Sequence, residues 1–122
     1  MKKLLIVDDS KAMRMIVRRA LRQANIVEHT VDEACNGEEA LEKLRAGAFD
    51  LVLADWNMPQ MNGIDLLKAV KSAGIPVQFG FVTSEGTGDI RDLATENGAA
   101  FLIVKPFTPE AVYEALKPLG LA

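Results

Sequence analysis

Five short apolar runs, separated by amphipathic stretches, restrict the fold more than any other feature of the chain. They are Leu4 to Val7, a weaker one from Val31 to Cys35, Leu51 to Ala54, Val77 to Val82, and Phe101 to Val104. Most are apolar at successive positions, whereas a strand with one wet face alternates. Strands of this kind are covered on both faces, as in a parallel sheet sandwiched between helices. The intervening stretches supply those helices. Ser10 is a good N-cap, and Ala12, Met13, Ile16, Val17, Ala20, Leu21 and Ala24 recur behind it at helical spacing as the expected buried stripe. Asn36 and Glu39 have capping-box spacing, with Gly47 as the stop. Further helices are expected from Gly63 to Ala73 and from Gly88 to Asn97, each followed by a glycine, and after Thr108, where Pro109 takes the first helical position. The expected architecture is one α/β domain over residues 1–122, a five-stranded parallel sheet with right-handed crossovers and five flanking helices.

Composition excludes several classes of function. At 122 residues, 49% hydrophobic and 25% charged, the chain can bury a core of its own. A net charge of −3 leaves no general footprint for nucleic acid. Met1-Lys2-Lys3 begins in the manner of a signal peptide, but Asp8-Asp9 ends the apolar run far short of an export or membrane segment. The single cysteine, Cys35, can form no internal disulfide and has no zinc-ligand spacing, which suits the cytosol. The single histidine, His29, has no second ligand near it and reads as a surface or edge residue.

Polar residues stand where the apolar runs end. Asp8 and Asp9 follow the first, Asp55 the third, Thr83 the fourth and Lys105 the fifth. Open α/β sheets bind ligands beyond the carboxyl ends of their strands, where these five would meet. Three carboxylates there repel one another unless a cation neutralises them. Oxygen donors suit Mg2+, which keeps waters and shares its shell with phosphate. Lys105 offers a mobile charge to a phosphoryl oxygen and Thr83 a hydroxyl. The chemistry that joins them is phosphoryl transfer, with Asp55 as nucleophile because it ends the central strand.

In that order, Asp8-Asp9, the segment from Asp55 to Gly63, Thr83 and Lys105-Pro106-Phe107 resemble the receiver domains of two-component response regulators. Asp55-Trp56-Asn57-Met58-Pro59 and Lys105-Pro106-Phe107-Thr108 are similar to the single-domain, CheY-like members. The resemblance implies a flavodoxin-like strand order 2-1-3-4-5. It implies a phosphoryl group taken onto Asp55 from a histidine kinase or phosphotransfer protein, with Mg2+ held by Asp8, Asp9, Asp55 and the Asn57 carbonyl. Lys105 would pair with that group, its peptide bond to Pro106 being cis, and Thr83 would turn toward it. Asn57 and Glu85 would set the rate of self-dephosphorylation, as in members with a short-lived phosphoryl group. Also implied is a cytoplasmic monomer that is not an enzyme, touches neither nucleic acid nor membrane, and signals in chemotaxis through a protein target such as the flagellar motor switch. A phosphate shuttle or sink, and an adaptor that works without phosphorylation, are the alternatives.

Some positions depart from that pattern. Leu102 lies where many receivers carry an aromatic residue, and Phe101, beside it, would point to the other face of the sheet. Ser84 follows Thr83 where Ala or Gly is common, and could narrow access to Asp55. Gly80 suggests a bulge or a close approach within the fourth strand. Lys11, Arg14, Arg18 and Arg22 form a basic stripe on the first helix, read first as a solvated face and, by resemblance, as a kinase-docking surface. Trp56 is expected near the site, and Met58 and Met61 as loop packing. A phosphatase of the haloacid dehalogenase kind would need a second acid where Asn57 stands. A flavodoxin-like cofactor binder would need a phosphate loop in place of Asp8-Asp9-Ser10-Lys11.

Overall fold

The computed structural model describes residues 2–24, 26 and 30–121; His29 lies outside the described residues. Strands β1 (Lys3–Val7), β2 (Thr30–Ala34), β3 (Leu51–Ala54), β4 (Gln78–Thr83) and β5 (Phe101–Val104) alternate with helices α1 (Lys11–Gln23), α2 (Gly37–Ala46), α3 (Gly63–Ser72), α4 (Gly88–Glu96) and α5 (Pro109–Leu116). All neighbouring strands are parallel, in the order β2-β1-β3-β4-β5, as expected.

The continuous apolar runs have the reason inferred for them. On one face Leu5, Val7, Val52, Ala54, Phe79 and Phe81 join buried residues of α2 and α3. On the other Leu4, Ile6, Leu51, Leu53, Val82 and Ile103 join α1 and α5. Successive residues of one strand are therefore buried in different layers. Caps set the helix starts. The Ser10 hydroxyl accepts from the Met13 N–H at 3.2 Å, and the Asn36 side chain from the Glu39 N–H at 2.8 Å. Glu39 returns its bond to the Cys35 N–H, one residue earlier than an ideal capping box would have it.

One expectation about helices is corrected. The buried stripe of α1 is narrower than its spacing suggests: Val17, Ala20, Leu21 and Ala24 are buried, whereas Ala12 is exposed and Ile16 is 48% exposed. Arg14 and Arg18 turn toward Glu33 on the edge strand β2, whereas Ala12 and Ile16, two positions either side of Arg14, lie on the other side of the helix and face solvent. The last helix stops at Leu116, and a 3-10 turn over Lys117–Leu119 follows. Pro118 has no N–H to extend the α-helical ladder. Gly120 closes the turn at φ 74°, where a Cβ would be strained.

Gly80 marks no bulge, since its register to both neighbours is unbroken. It pairs with Phe101, and a Cβ at Gly80 would lie 2.2 Å from that ring. The ring packs into the α1–α5 layer while Leu102 packs into the other, so Phe101 does not stand in for an aromatic at position 102. Gly80→Ala is expected to cost about 2 kcal/mol in urea unfolding, in the range of core overpacking. In a Phe101→Val background it should cost about 1 kcal/mol less, since contacting residues couple. Equal costs in both backgrounds would refute this account.

Candidate functional site

The sheet's hydrogen bonds run one residue past the strands, and this places the site. The Asp8 N–H donates to the Ala34 carbonyl at 3.1 Å, the Asp55 N–H to Val7 at 2.9 Å, and the Lys105 N–H to Thr83 at 2.8 Å. Residues far apart in sequence are thereby fixed along one edge. Asp8, Asp9 and Asp55 each bring a carboxylate oxygen within 4.8 Å of the others. Asp8 is almost fully buried, Asp55 half-buried and Asp9 exposed, so the cluster is closed on one side and wet on the other.

Lys105 reaches into it. Its Nζ lies 3.3 Å from Asp8 Oδ2 and 3.5 Å from Asp55 Oδ1. The other Asp8 oxygen accepts from the Ser10 N–H at 2.9 Å, so both oxygens of this buried carboxylate are engaged. Burial pushes the Asp55 carboxyl above its usual range; the Lys105 ammonium pulls it back, Asp8 pushes it up again, and the N–H groups of Trp56 and Asn57 lower it, leaving it raised. The peptide between Lys105 and Pro106 is cis.

Thr83 is fully buried at the end of β4, its hydroxyl accepting from the Glu85 N–H at 3.2 Å. The exposed side chains of Asn57 and Glu85 are hydrogen-bonded to each other at 2.8 Å, which links the loops after β3 and β4. Ser84 is exposed. Trp56 is buried against Phe81 with ring centroids 4.8 Å apart, so it is core and beside the site at once. Gly63 closes the Asp55 loop: its N–H donates to the Trp56 carbonyl at 2.8 Å, and a Cβ there would lie 2.3 Å from the Asp55 carbonyl oxygen. Met58 is buried and Met61 packs over Gly37, so both are loop packing.

One contact with the site is not evident from the sequence, that of Arg14. Arg14 donates from Nε to Glu33 Oε1 at 2.8 Å and from its terminal nitrogen to the Asp8 carbonyl at 2.6 Å. Arg18 makes two bonds to Glu33 Oε2, at 3.0 and 2.8 Å. Burial alone would raise Glu33, but these two guanidinium groups hold its carboxyl below the usual range. The basic stripe of α1 is thus partly an internal network, Arg14 being only 14% exposed.

The donor set fits magnesium. It is all hard oxygen, a spacing of up to 4.8 Å can be drawn onto one ion by small rotations, and exposed Asp9 leaves room for waters. A cleft of about 450 Å3 at the opposite edge of the sheet, lined by Lys2, Asp50, Lys71 and Gln78, contains no such convergence.

The family model for the response regulator receiver domain matches residues 4–117. The chain belongs to the response regulator receiver family. It is 44% identical to chemotaxis protein CheY1 of Helicobacter pylori over 120 residues, covering 94% of each chain. It is 39% identical to chemotaxis protein CheY of Pseudomonas aeruginosa over 121 residues, covering 96% of this chain and 94% of that one. Chemotaxis protein CheY4 of Vibrio cholerae superposes on this receiver with a TM-score of 0.86 at 33% identity, covering 98% of each chain. The receiver is therefore CheY-like. Among its described residues no helix is long and apolar enough to cross a membrane.

Proposed function

We propose that this receiver accepts a phosphoryl group on Asp55 from a histidine kinase or phosphotransfer protein, and that the phosphorylated form binds a protein target in a chemotaxis pathway. The observation that carries this reading is the half-buried Asp55 carboxylate, held with Lys105 Nζ at 3.5 Å and the oxygens of Asp8 and Asp9 within 4.8 Å. An Asp55 oxygen attacks phosphorus, the phosphorus–nitrogen bond of the donor phosphohistidine breaks, and an acyl phosphate forms. Asp9, Asp55 and the Asn57 carbonyl would hold magnesium directly. Asp8, with both oxygens already engaged, would act on it through water. When bound, the ion neutralises charge on the transferring group.

Lys105 moves from Asp8 and Asp55 toward the phosphoryl oxygens, and Thr83 exchanges its bond from the Glu85 N–H for one to the same group. That second exchange loosens the loop after β4 and alters the surface a target meets. Turnover of external substrates is not part of this reading, because Asn57 stands where a general acid would be needed. The setting is the cytoplasm. The Asn57–Glu85 pair flanks the route for an attacking water, and a short phosphoryl lifetime goes with it.

Trp56 is the natural reporter, being the only tryptophan and adjacent to Asp55. Magnesium, and then acetyl phosphate or beryllofluoride, should each change its fluorescence, and acetyl phosphate should add one phosphoryl group to the intact mass. Unchanged mass and fluorescence would reject phosphorylation and favour an adaptor. Prompt return of the phosphoryl group to a second phosphotransfer protein would favour a shuttle.

A further inference from the structure

We infer that Arg14 is a positioning residue for the metal site, acting through the backbone of the acidic loop and set in place by Glu33 of the edge strand. The inference rests on the magnesium-dependent reading above. Asp8 and Asp9 lie in the connection between β1 and α1, and Asp9 is exposed on it. Their mutual repulsion, together with Asp55, tends to splay that connection. Arg14 opposes this at one point, by donating to the Asp8 carbonyl oxygen at 2.6 Å. A guanidinium holds such a point because its planar fork makes two differently directed bonds at once. Here the second bond runs from Nε to Glu33 Oε1 at 2.8 Å.

Glu33 is fixed in turn. Its other oxygen receives both bonds from Arg18, and the Lys43 Nζ donates to its backbone carbonyl. A chain of contacts therefore runs from the edge strand through α1 to the residue that precedes the metal-facing Asp9. Arg18 touches Glu33 and the Val31 carbonyl but not the acidic loop, which makes it a matched control of the same charge on the same helix.

Charge and geometry make opposite demands at Arg14. A cation beside the acids disfavours Mg2+, so by charge alone its removal should tighten magnesium binding. Loss of an outer partner that orients ligands weakens metal binding, commonly by tenfold or more. The direction of the change separates the two. Magnesium alone is titrated into the full chain, followed by Trp56 fluorescence and by isothermal calorimetry, with circular dichroism to show that each variant is folded. Arg14→Gln is expected to raise the magnesium Kd about tenfold. Arg14→Lys keeps the charge but not the fork and should raise it at least as much, whereas Arg18→Gln should leave it within about twofold. Glu33→Gln, which weakens the anchor without touching the loop, should fall between. An unchanged or tighter Kd in folded Arg14→Gln, or an equal rise in Arg18→Gln, would overturn the inference. A wild-type chain that took up no magnesium would overturn the functional reading and this inference with it.

Discussion

Asp55→Asn is expected to gain no phosphoryl mass from acetyl phosphate and magnesium and, free of metal, to melt about 4 °C above the wild type, equivalent to about 1 kcal/mol. The first result follows from removing the proposed nucleophile. The second follows from the electrostatics of the resting site. Three carboxylates converge on one edge with a single ammonium placed between two of them, and Asp55 carries the raised pKa. An acid whose folded pKa lies above its unfolded value binds its proton more tightly in the folded chain. It therefore stabilises the fold while protonated, and that contribution is lost as pH rises from the ordinary carboxylate range through the raised value. Urea unfolding of the metal-free wild type between pH 3.5 and 7 should show this loss, and the asparagine variant, with nothing to ionise at position 55, should show a flatter profile. Equal or lower metal-free stability of the variant at pH 7 would contradict the account, and so would a profile as steep as that of the wild type.

Lys105→Ala should shift stability the other way. Alanine leaves Asp8, with a side chain only 5% exposed, and Asp55 without their shared cation. Breaking a buried pair by removing one partner costs 3–5 kcal/mol. Since Lys105 is 16% exposed and water can reach the vacated space, about 2 kcal/mol, or some 8 °C in melting temperature, is expected. Magnesium should recover most of the loss, because the ion takes over neutralisation of the same carboxylates. Phosphorylation should remain detectable by mass, while the phosphorylation-dependent gain in affinity for the protein target disappears. A variant as stable as the wild type without metal would show that the ammonium is not holding the acids together, and preserved target switching would show that it does not couple the site to the surface.

The residues of the site were legible because their positions depend on strand register alone. Asp8, Asp55, Thr83 and Lys105 follow apolar runs of matched depth, and the ladder hydrogen bonds that continue past Val7, Ala54 and Val104 carry them to one edge. The strands β1, β3, β4 and β5 were visible because their runs are almost wholly apolar, whereas β2, with Asp32 and Glu33, gives only a weak signal. Charged contacts between elements were not legible. Arg14 and Arg18 have one periodicity whether they face solvent or an acid, and their partner Glu33 lies in the most polar strand, whose face cannot be read from alternation. Ile16 shares the helical spacing of the core residues but lies at the edge of the stripe, on the side of α1 away from Arg14 and Arg18, where spacing alone does not tell a buried position from an exposed one. Gly80 announced a close approach, but only the pairing with Phe101 reveals that the approaching group is a ring on the neighbouring strand.

The contact between Lys105 and Asp8 spans 97 residues of chain. Until β5 docks at the sheet edge, the acids gathered by β1 and β3 have no ammonium among them, so an incompletely folded chain carries their repulsion without relief. Closing so long a loop is slow compared with local helix formation. Neutralisation of the acidic edge is thus among the last steps during synthesis, and a nascent chain with β5 still unplaced holds its acids unrelieved even when most of its core is in place.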